Sequence, residues 1–205
     1  MKTKSRLLFT VLFSAAALLP VFAPSAAQAG QSPGATITEA VKVLQDAVTQ
    51  GEGKPAAEVD QNLRKILTPV FDFNEMARSS VGSNWSKGTP EEQKEFVDLF
   101  SELLARTYLK RIKENVKEAD YKLIHETVNG NKALVKTTVI DKGDKIKIDY
   151  RMVQKEGPWR VYDVIIEDVG LVTNFRNEFG AIIRKDGFSG LVQRLRDKVA
   201  KAKPV

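Results

Sequence analysis

The stretch Trp159–Leu195, WRVYDVIIEDVGLVTNFRNEFGAIIRKDGFSGLVQRL, changes its hydrophobic period partway along, and that change decides the fold. Its first eight residues are β-branched and aromatic, as a strand favours. From Leu171 onward the apolar residues recur at intervals of three and four, as a helix requires. On a strand, Trp159, Val161, Asp163 and Ile165 point one way and Arg160, Tyr162, Val164 and Ile166 the other, and both sets are largely apolar. On the helix, Leu171, Val172, Phe175, Phe179, Ile182 and Ile183 form one stripe, opposite Asn174, Arg176, Asn177, Glu178 and Arg184. A sheet apolar on both faces, with a greasy helix leaving its end, is enough to build a deep hydrophobic interior.

Upstream, period two extends back to Asp120 and predicts four strands: Tyr121 to Val128, Lys132 to Asp141, Lys145 to Gln154 and Trp159 to Glu167. Asn129-Gly130, Lys142-Gly143 and Gly157-Pro158 mark the turns, so the simplest pairing is an antiparallel meander. The third strand alternates most cleanly, with Ile146, Ile148, Tyr150 and Met152 on one side and Lys145, Lys147, Asp149 and Arg151 on a wet one. Before the sheet come helices. Ile37, Val41, Leu44 and Val48 share a face and end at Gly51; Val59, Leu63, Ile66 and Leu67 share another and end near Pro69. A short helix starts at Asp72 and Glu75 and stops by Gly82. The longest helix has the clearest start, with Thr89 as N-cap, Pro90 in the first position, and Glu91 and Glu92 opposing the helix dipole. Its stripe runs through Phe96, Leu99, Phe100, Leu103, Leu104, Thr107, Tyr108 and Ile112. A last helix after Ser189 carries Leu191, Val192, Leu195 and Val199, and the tail KAKPV is expected to fray. Helices, an antiparallel sheet and helices again predict an α+β domain in which helices cover one sheet face.

The N-terminus addresses the compartment. Lys2, Lys4 and Arg6 precede an uncharged run from Leu7 to Leu19, and Ala27-Gln28-Ala29 offers small residues for signal peptidase. Residues 1–29 read as a cleaved secretory signal and residues 30–205 as a single domain. Removing the signal lowers the formal net charge from +6 to +3, too mild to argue for nucleic acid. The chain has no cysteine, so an exported protein must be held by its core without disulfides.

Val81 to Tyr108, VGSNWSKGTPEEQKEFVDLFSELLARTY, and the opening stretch together resemble the MlaC or toluene-tolerance family of exported ABC-transporter auxiliary proteins. The resemblance is carried by the Gly82 to Trp85 step, Thr89-Pro90 with Gln93 and Phe96, the Trp159 to Asp163 strand, the Leu171 to Phe179 helix and the Gly187 to Leu191 turn. It covers most of the chain after the signal. It implies an NTF2-like fold, with the N-terminal helices and the long helix packed on a curved four-stranded sheet, and a cavity for phospholipid acyl chains. It also implies a periplasmic carrier moving lipid between an outer-membrane lipoprotein–porin complex and an inner-membrane ABC transporter with a lipid-binding ring subunit, maintaining outer-membrane lipid asymmetry. A relative group is tied to hopanoids. Where the family commonly has Glu-Gly-Val-Ser before the helix, this chain has Glu167-Asp168-Val169-Gly170, which changes the local turn.

Physical chemistry supports a carrier. Two acyl chains hold about thirty methylenes, and at roughly 0.8 kcal/mol each they do not cross water unshielded at a useful rate. The expected acyl contacts are Phe96, Phe100, Leu103, Tyr150, Val161, Ile165, Leu171 and Phe175. Arg78, Arg106, Arg151 and Arg176 are candidates for an anionic headgroup or for partner docking. No cofactor or metal is expected. Catalysis has thinner support: the single histidine, His125, reads as a half-buried strand residue, and no Gly-x-Ser-x-Gly elbow or phosphate-binding glycine loop appears. Asp163 and Glu167, four apart on a strand, keep open a cofactor-free isomerase or dehydratase on the same fold, since fold alone does not choose function.

Overall fold

The computed structural model describes residues 30–141 and 143–201, so the expected signal segment, Lys142 of the second turn and the last four residues lie outside the described residues. In order come α1 (Pro33–Gln50), α2 (Ala56–Leu67), α3 (Phe73–Val81), a 3-10 segment (Gly82–Lys87), α4 (Pro90–Asn115), β1 (Asp120–Asn129), β2 (Lys132–Asp141), β3 (Asp144–Val153), β4 (Arg160–Ile166), β5 (Val169–Gly170) and α5 (Leu171–Lys201). The α+β order read from the sequence is the order found. Among the described residues the one added strand is β5, two residues long, which folds back on β4.

Local chemistry explains the helix starts. Thr89 accepts from the Glu92 amide at 3.2 Å while the Glu92 carboxylate accepts from the Thr89 amide at 2.9 Å, a reciprocal cap that satisfies two otherwise orphaned donors. Asp72 accepts from the Glu75 amide at 2.8 Å at the start of α3. α1 is capped by Ser32, and its Gly34 amide also donates to Glu126 of β1 at 2.6 Å, placing a carboxylate at the positive helix end. α5 breaks at Gly187, whose φ of 74° is a conformation reserved for glycine, so the two expected helices form one kinked element. Beside the kink, a Cβ on Gly88 would stand 2.6 Å from the Phe188 ring, which is why a glycine precedes Thr89.

The sheet is open and antiparallel, in the order β1-β2-β3-β4-β5. The chain before α3 joins its far side, where the Asp72 amide donates to the Val161 carbonyl and the Val161 amide to the Val70 carbonyl, both at 2.8 Å. Two bulges interrupt the ladder. On β1, register shifts between Leu123 and His125; on β4, Val161 opposes Met152 and Asp163 opposes Arg151, leaving Tyr162 as the extra residue. The second bulge corrects the period-two reading of this strand. Val161 and Val164 share a face with Met152 and Tyr150, whereas Asp163 lies with Arg151 on the other.

Among the described residues, three apolar clusters hold the molecule. One joins α3, α4 and α5 around Phe96, Phe100, Phe179, Phe188 and Leu191. A second lies on the inner sheet face, where Ile37 of α1 meets Ala133, Val135, Met152, Trp159 and Val161. A third packs α1, α2 and α4 through Leu44, Leu63 and Leu109, with the buried Asp60 of α2 bound to Lys113 of α4 at 2.5 Å. Phe71 packs against both the first and second clusters, and Tyr162 of β4 against the first, so both link helices and sheet.

Candidate functional site

The densest apolar chemistry is in the helical cluster. Four-residue spacing puts Phe96 and Phe100 on one face of α4, stacked with centroids 5.8 Å apart. α5 brings Phe179 edge-on at 5.7 Å to each of them, and Phe175 edge-on to Phe100 at 5.0 Å. Phe188, beyond the kink, meets Phe96 at 5.6 Å, and Trp85 of the 3-10 segment meets Phe188 at 6.4 Å. Edge-to-face contacts match the positive ring edge to the negative face and add to simple area burial. Phe96 and Phe100 are wholly buried, while Phe175 and Leu171, one turn apart on α5, are half-buried on the cluster's margin.

The expected acyl contacts fall in two places. Phe96, Phe100, Leu103, Leu171 and Phe175 belong to the helical cluster, and Val161 and Tyr150 to the inner sheet face; Ile165, half-buried, belongs to neither. Phe179, Phe188 and Trp85 join the first group although only Phe179 stood out as part of a stripe, and the signal for the others is their position flanking the Thr89 cap and the Gly187 kink. Tyr121 joins the second group, on the same inner face as Tyr150. Burial raises the pKa of both phenols, that of Tyr121 to about 12, and the Tyr121 charge would raise that of Tyr150 further.

The arginines are used differently from one another. Arg106 donates to Glu102 at 2.5 Å and to the Val199 carbonyl at 3.0 Å, tying α4 to the end of α5. Arg64 of α2 shares the same Glu102 at 2.6 Å. Burial disfavours the Glu102 carboxylate, yet hydrogen bonds from Arg64 and Arg106 outweigh it and hold the group below its ordinary range. Arg176 clamps α5 to α3 by two bonds to the Ser79 carbonyl, at 2.6 and 2.9 Å. Arg151 pairs with Asp163 at 3.2 Å, and Arg78 stands exposed on α3.

Asp163 is 1% exposed and engaged at both oxygens: Oδ1 accepts the Val172 amide at 2.9 Å and Oδ2 meets Arg151. A strand carboxylate therefore caps α5 at Val172, two residues after Gly170. Glu167 is not brought to Asp163; it is exposed in the β4–β5 turn and accepts from the Lys147 amide. His125 is exposed on the edge strand β1, which corrects the half-buried position expected from its strand. A surface concavity of about 450 Å³ is lined by Asp72, Val153, Lys155, Glu156, Pro158 and Arg160, a mixed-charge rim in which Lys155 pairs with Asp72 and Glu75.

These features define an α+β domain with an aromatic-rich cluster among its helices and a second apolar cluster on one face of an open antiparallel sheet. The model of the MlaC protein family matches residues 35–197, and the chain belongs to that family. It is similar to the toluene tolerance protein ttg2D of Pseudomonas putida, 27% identical over 197 residues that cover 94% of this chain and 90% of that one. Among solved structures it is similar to the phospholipid-binding protein from Ralstonia solanacearum, determined in complex with a phospholipid. That match has a TM-score of 0.75 at 27% identity and covers 83% of this chain and 98% of the other.

Proposed function

We propose that this protein is a periplasmic lipid carrier, made with a cleaved signal over residues 1–29 and a single lipid-binding domain over residues 30–205. It holds phospholipid acyl chains in its apolar interior and shuttles lipid between an outer-membrane lipoprotein–porin complex and an inner-membrane ABC transporter with a lipid-binding ring subunit, so maintaining outer-membrane asymmetry. The observation that carries the reading is the likeness, over nearly the whole of the other chain, to a protein solved with a phospholipid bound. The aromatic interior supports it, because acyl chains leave a bilayer only for a comparably apolar environment. Phe175 and Leu171 on the margin of the helical cluster, with Tyr150 on the sheet and the half-buried Ile165, are the first contacts for an entering chain; Phe96, Phe100, Leu103 and Val161 form the deeper wall. Arg78, exposed on α3, is the arginine best placed to meet a headgroup or a partner, since the other three are engaged within the fold.

A carrier rather than an isomerase is favoured by the engagement of Asp163 with an amide and a guanidinium and by the exposed position of His125. The test is native mass spectrometry of the protein purified without detergent, with organic extraction of its cargo. A stoichiometric phospholipid is expected, a hopanoid reassigns the cargo, and a well-folded lipid-free protein under gentle conditions overturns the proposal.

A further inference from the structure

The sheet sorts its charges by face. Residues paired across the ladder share a side, and the side turned away from α1 carries Lys122 of β1, Lys132 and Lys136 of β2, Lys145, Lys147 and Arg151 of β3 and Arg160 of β4. All seven are exposed. The carboxylates on that side are Asp120, the half-buried Asp149 and the buried Asp163, the last tied to Arg151. Seven cations against three carboxylates leave this face at +4, more than the +3 of residues 30–205 together. The rest of the domain is therefore slightly acidic, and the positive charge is gathered in one place.

The fold makes little use of it. Lys122, Lys147 and Arg151 have acidic partners, whereas Lys132, Lys136, Lys145 and Arg160 form no ion pair among the described residues. Like charges held on one surface repel, so an anionic partner relieves a cost that the free protein bears. The shape and chemistry of the face define that partner. It covers about 26 Å along β2 and about 14 Å across four strands, and so calls for a broad surface rather than a single group. Five of the seven cations are lysines, point charges on flexible stems that impose no planar bidentate geometry. Protein interfaces are enriched in aromatic residues, methionine and arginine at their core and poor in lysine. None of the ladder-paired residues on this face is phenylalanine, tyrosine, tryptophan or methionine. A layer of anionic lipid headgroups, with diffuse charge and no fixed contour, matches it better than a folded protein does.

We infer that the outer face of the sheet is a docking surface for an anionic lipid bilayer, held by charge alone and therefore readily released. The inference goes beyond the carrier reading and does not rest on it, because lying on a bilayer requires no lipid to be extracted.

The experiment is sedimentation of the exported protein with vesicles of equimolar phosphatidylglycerol and phosphatidylcholine, and with vesicles of phosphatidylcholine alone. The wild type is expected to bind only the anionic vesicles, and to weaken steadily as salt shortens the Debye length from about 30 Å at 0.01 M to about 3 Å at 1 M. Each cation near an anionic surface is worth about fivefold in affinity. Lys132→Gln, Lys136→Gln and Arg160→Gln combined should therefore weaken binding about a hundredfold without lowering the Tm, since these exposed side chains hold nothing in the fold. A second triple variant, Lys42→Gln, Lys87→Gln and Lys185→Gln, removes the same charge from exposed positions outside the sheet and should weaken binding less than fivefold. Equal weakening by the two sets overturns the assignment, because net charge and not this face would then decide. Equal binding to phosphatidylcholine, or binding indifferent to salt, also overturns it by moving the contact to an apolar site. So does an absence of binding to anionic vesicles at low salt, which leaves an acidic protein as the partner of the face. A protein that docks as expected yet carries no phospholipid defeats the carrier reading and leaves this inference standing.

Discussion

At the scale of single residues, the molecule uses charge mainly to fasten helices. Asp163 is the sharpest case, since one buried carboxylate closes the first turn of α5 and neutralises Arg151. Asp163→Ala leaves the Val172 amide without its acceptor and should cost about 2 kcal/mol; Asp163→Asn retains an acceptor and should cost about half as much. Urea unfolding of both variants checks this, and equal losses would mean that charge, not the cap, matters. Glu102 gives a pH signature. Its folded pKa lies below the unfolded one, so its contribution is fully present above the usual carboxylate range and fades as pH falls through the folded pKa. The urea midpoint should therefore drop on acidification below about pH 4.3. Glu102→Gln should be less stable at pH 7 and lose less on acidification; parallel pH profiles would defeat the assignment.

At the scale of elements, what was legible in the sequence was what is decided locally. The Thr89 cap, the ends of α1 and α2 and the alternation of β3 depend on neighbours within a turn or a pleat, and strands and helices lie within a residue or two of where periodicity put them. The bulge at Tyr162 was not legible, because every residue around it is apolar or paired and an extra residue leaves no mark in such a run. Nor was the reach of Asp163 to α5 or of Arg176 to α3, since these depend on which elements become neighbours in space. The candidate site divides in the same way: the helical stripe was readable, whereas the packing of Tyr121 on the inner sheet face becomes visible only once its neighbours across the sheet are known. The β4–β5 turn supplies a prediction. Glu167 and Asp168 both have positive φ, 45° and 65°, in the two-residue turn that closes β5 on β4. Glycine tolerates such angles where side chains are strained, so Asp168→Gly should stabilise the protein by about 0.5 kcal/mol, the relief of strain exceeding the added freedom of the unfolded chain. A fall in Tm would show that the Asp168 side chain, 3.9 Å from Lys147, contributes more than its backbone costs.

At the scale of the whole molecule, the carrier proposed above would have to stay folded both empty and loaded, or each delivery would unfold it. The core is arranged for this. Phe96, Phe100, Phe179, Phe188 and Leu191 are buried with one another, and the sheet keeps its own cluster with α1, so neither layer depends on lipid to cover its centre. Lipid adds stability only as the logarithm of the ratio of its concentration to the dissociation constant, about 2.7 kcal/mol at a hundredfold excess. The delipidated protein should therefore unfold cooperatively, at a lower Tm that rises as phospholipid is returned. Phe175 separates the two roles, because it is half-buried at the margin where Phe100 is wholly enclosed. Phe175→Gln should lower the empty Tm slightly and remove most of the lipid-dependent rise, whereas Phe100→Gln should destabilise both states by several kcal/mol through a buried, unsatisfied amide. Scanning calorimetry with and without added phospholipid reads both effects. A Phe175→Gln protein that gains as much from lipid as the wild type would move the acyl site away from the α5 margin.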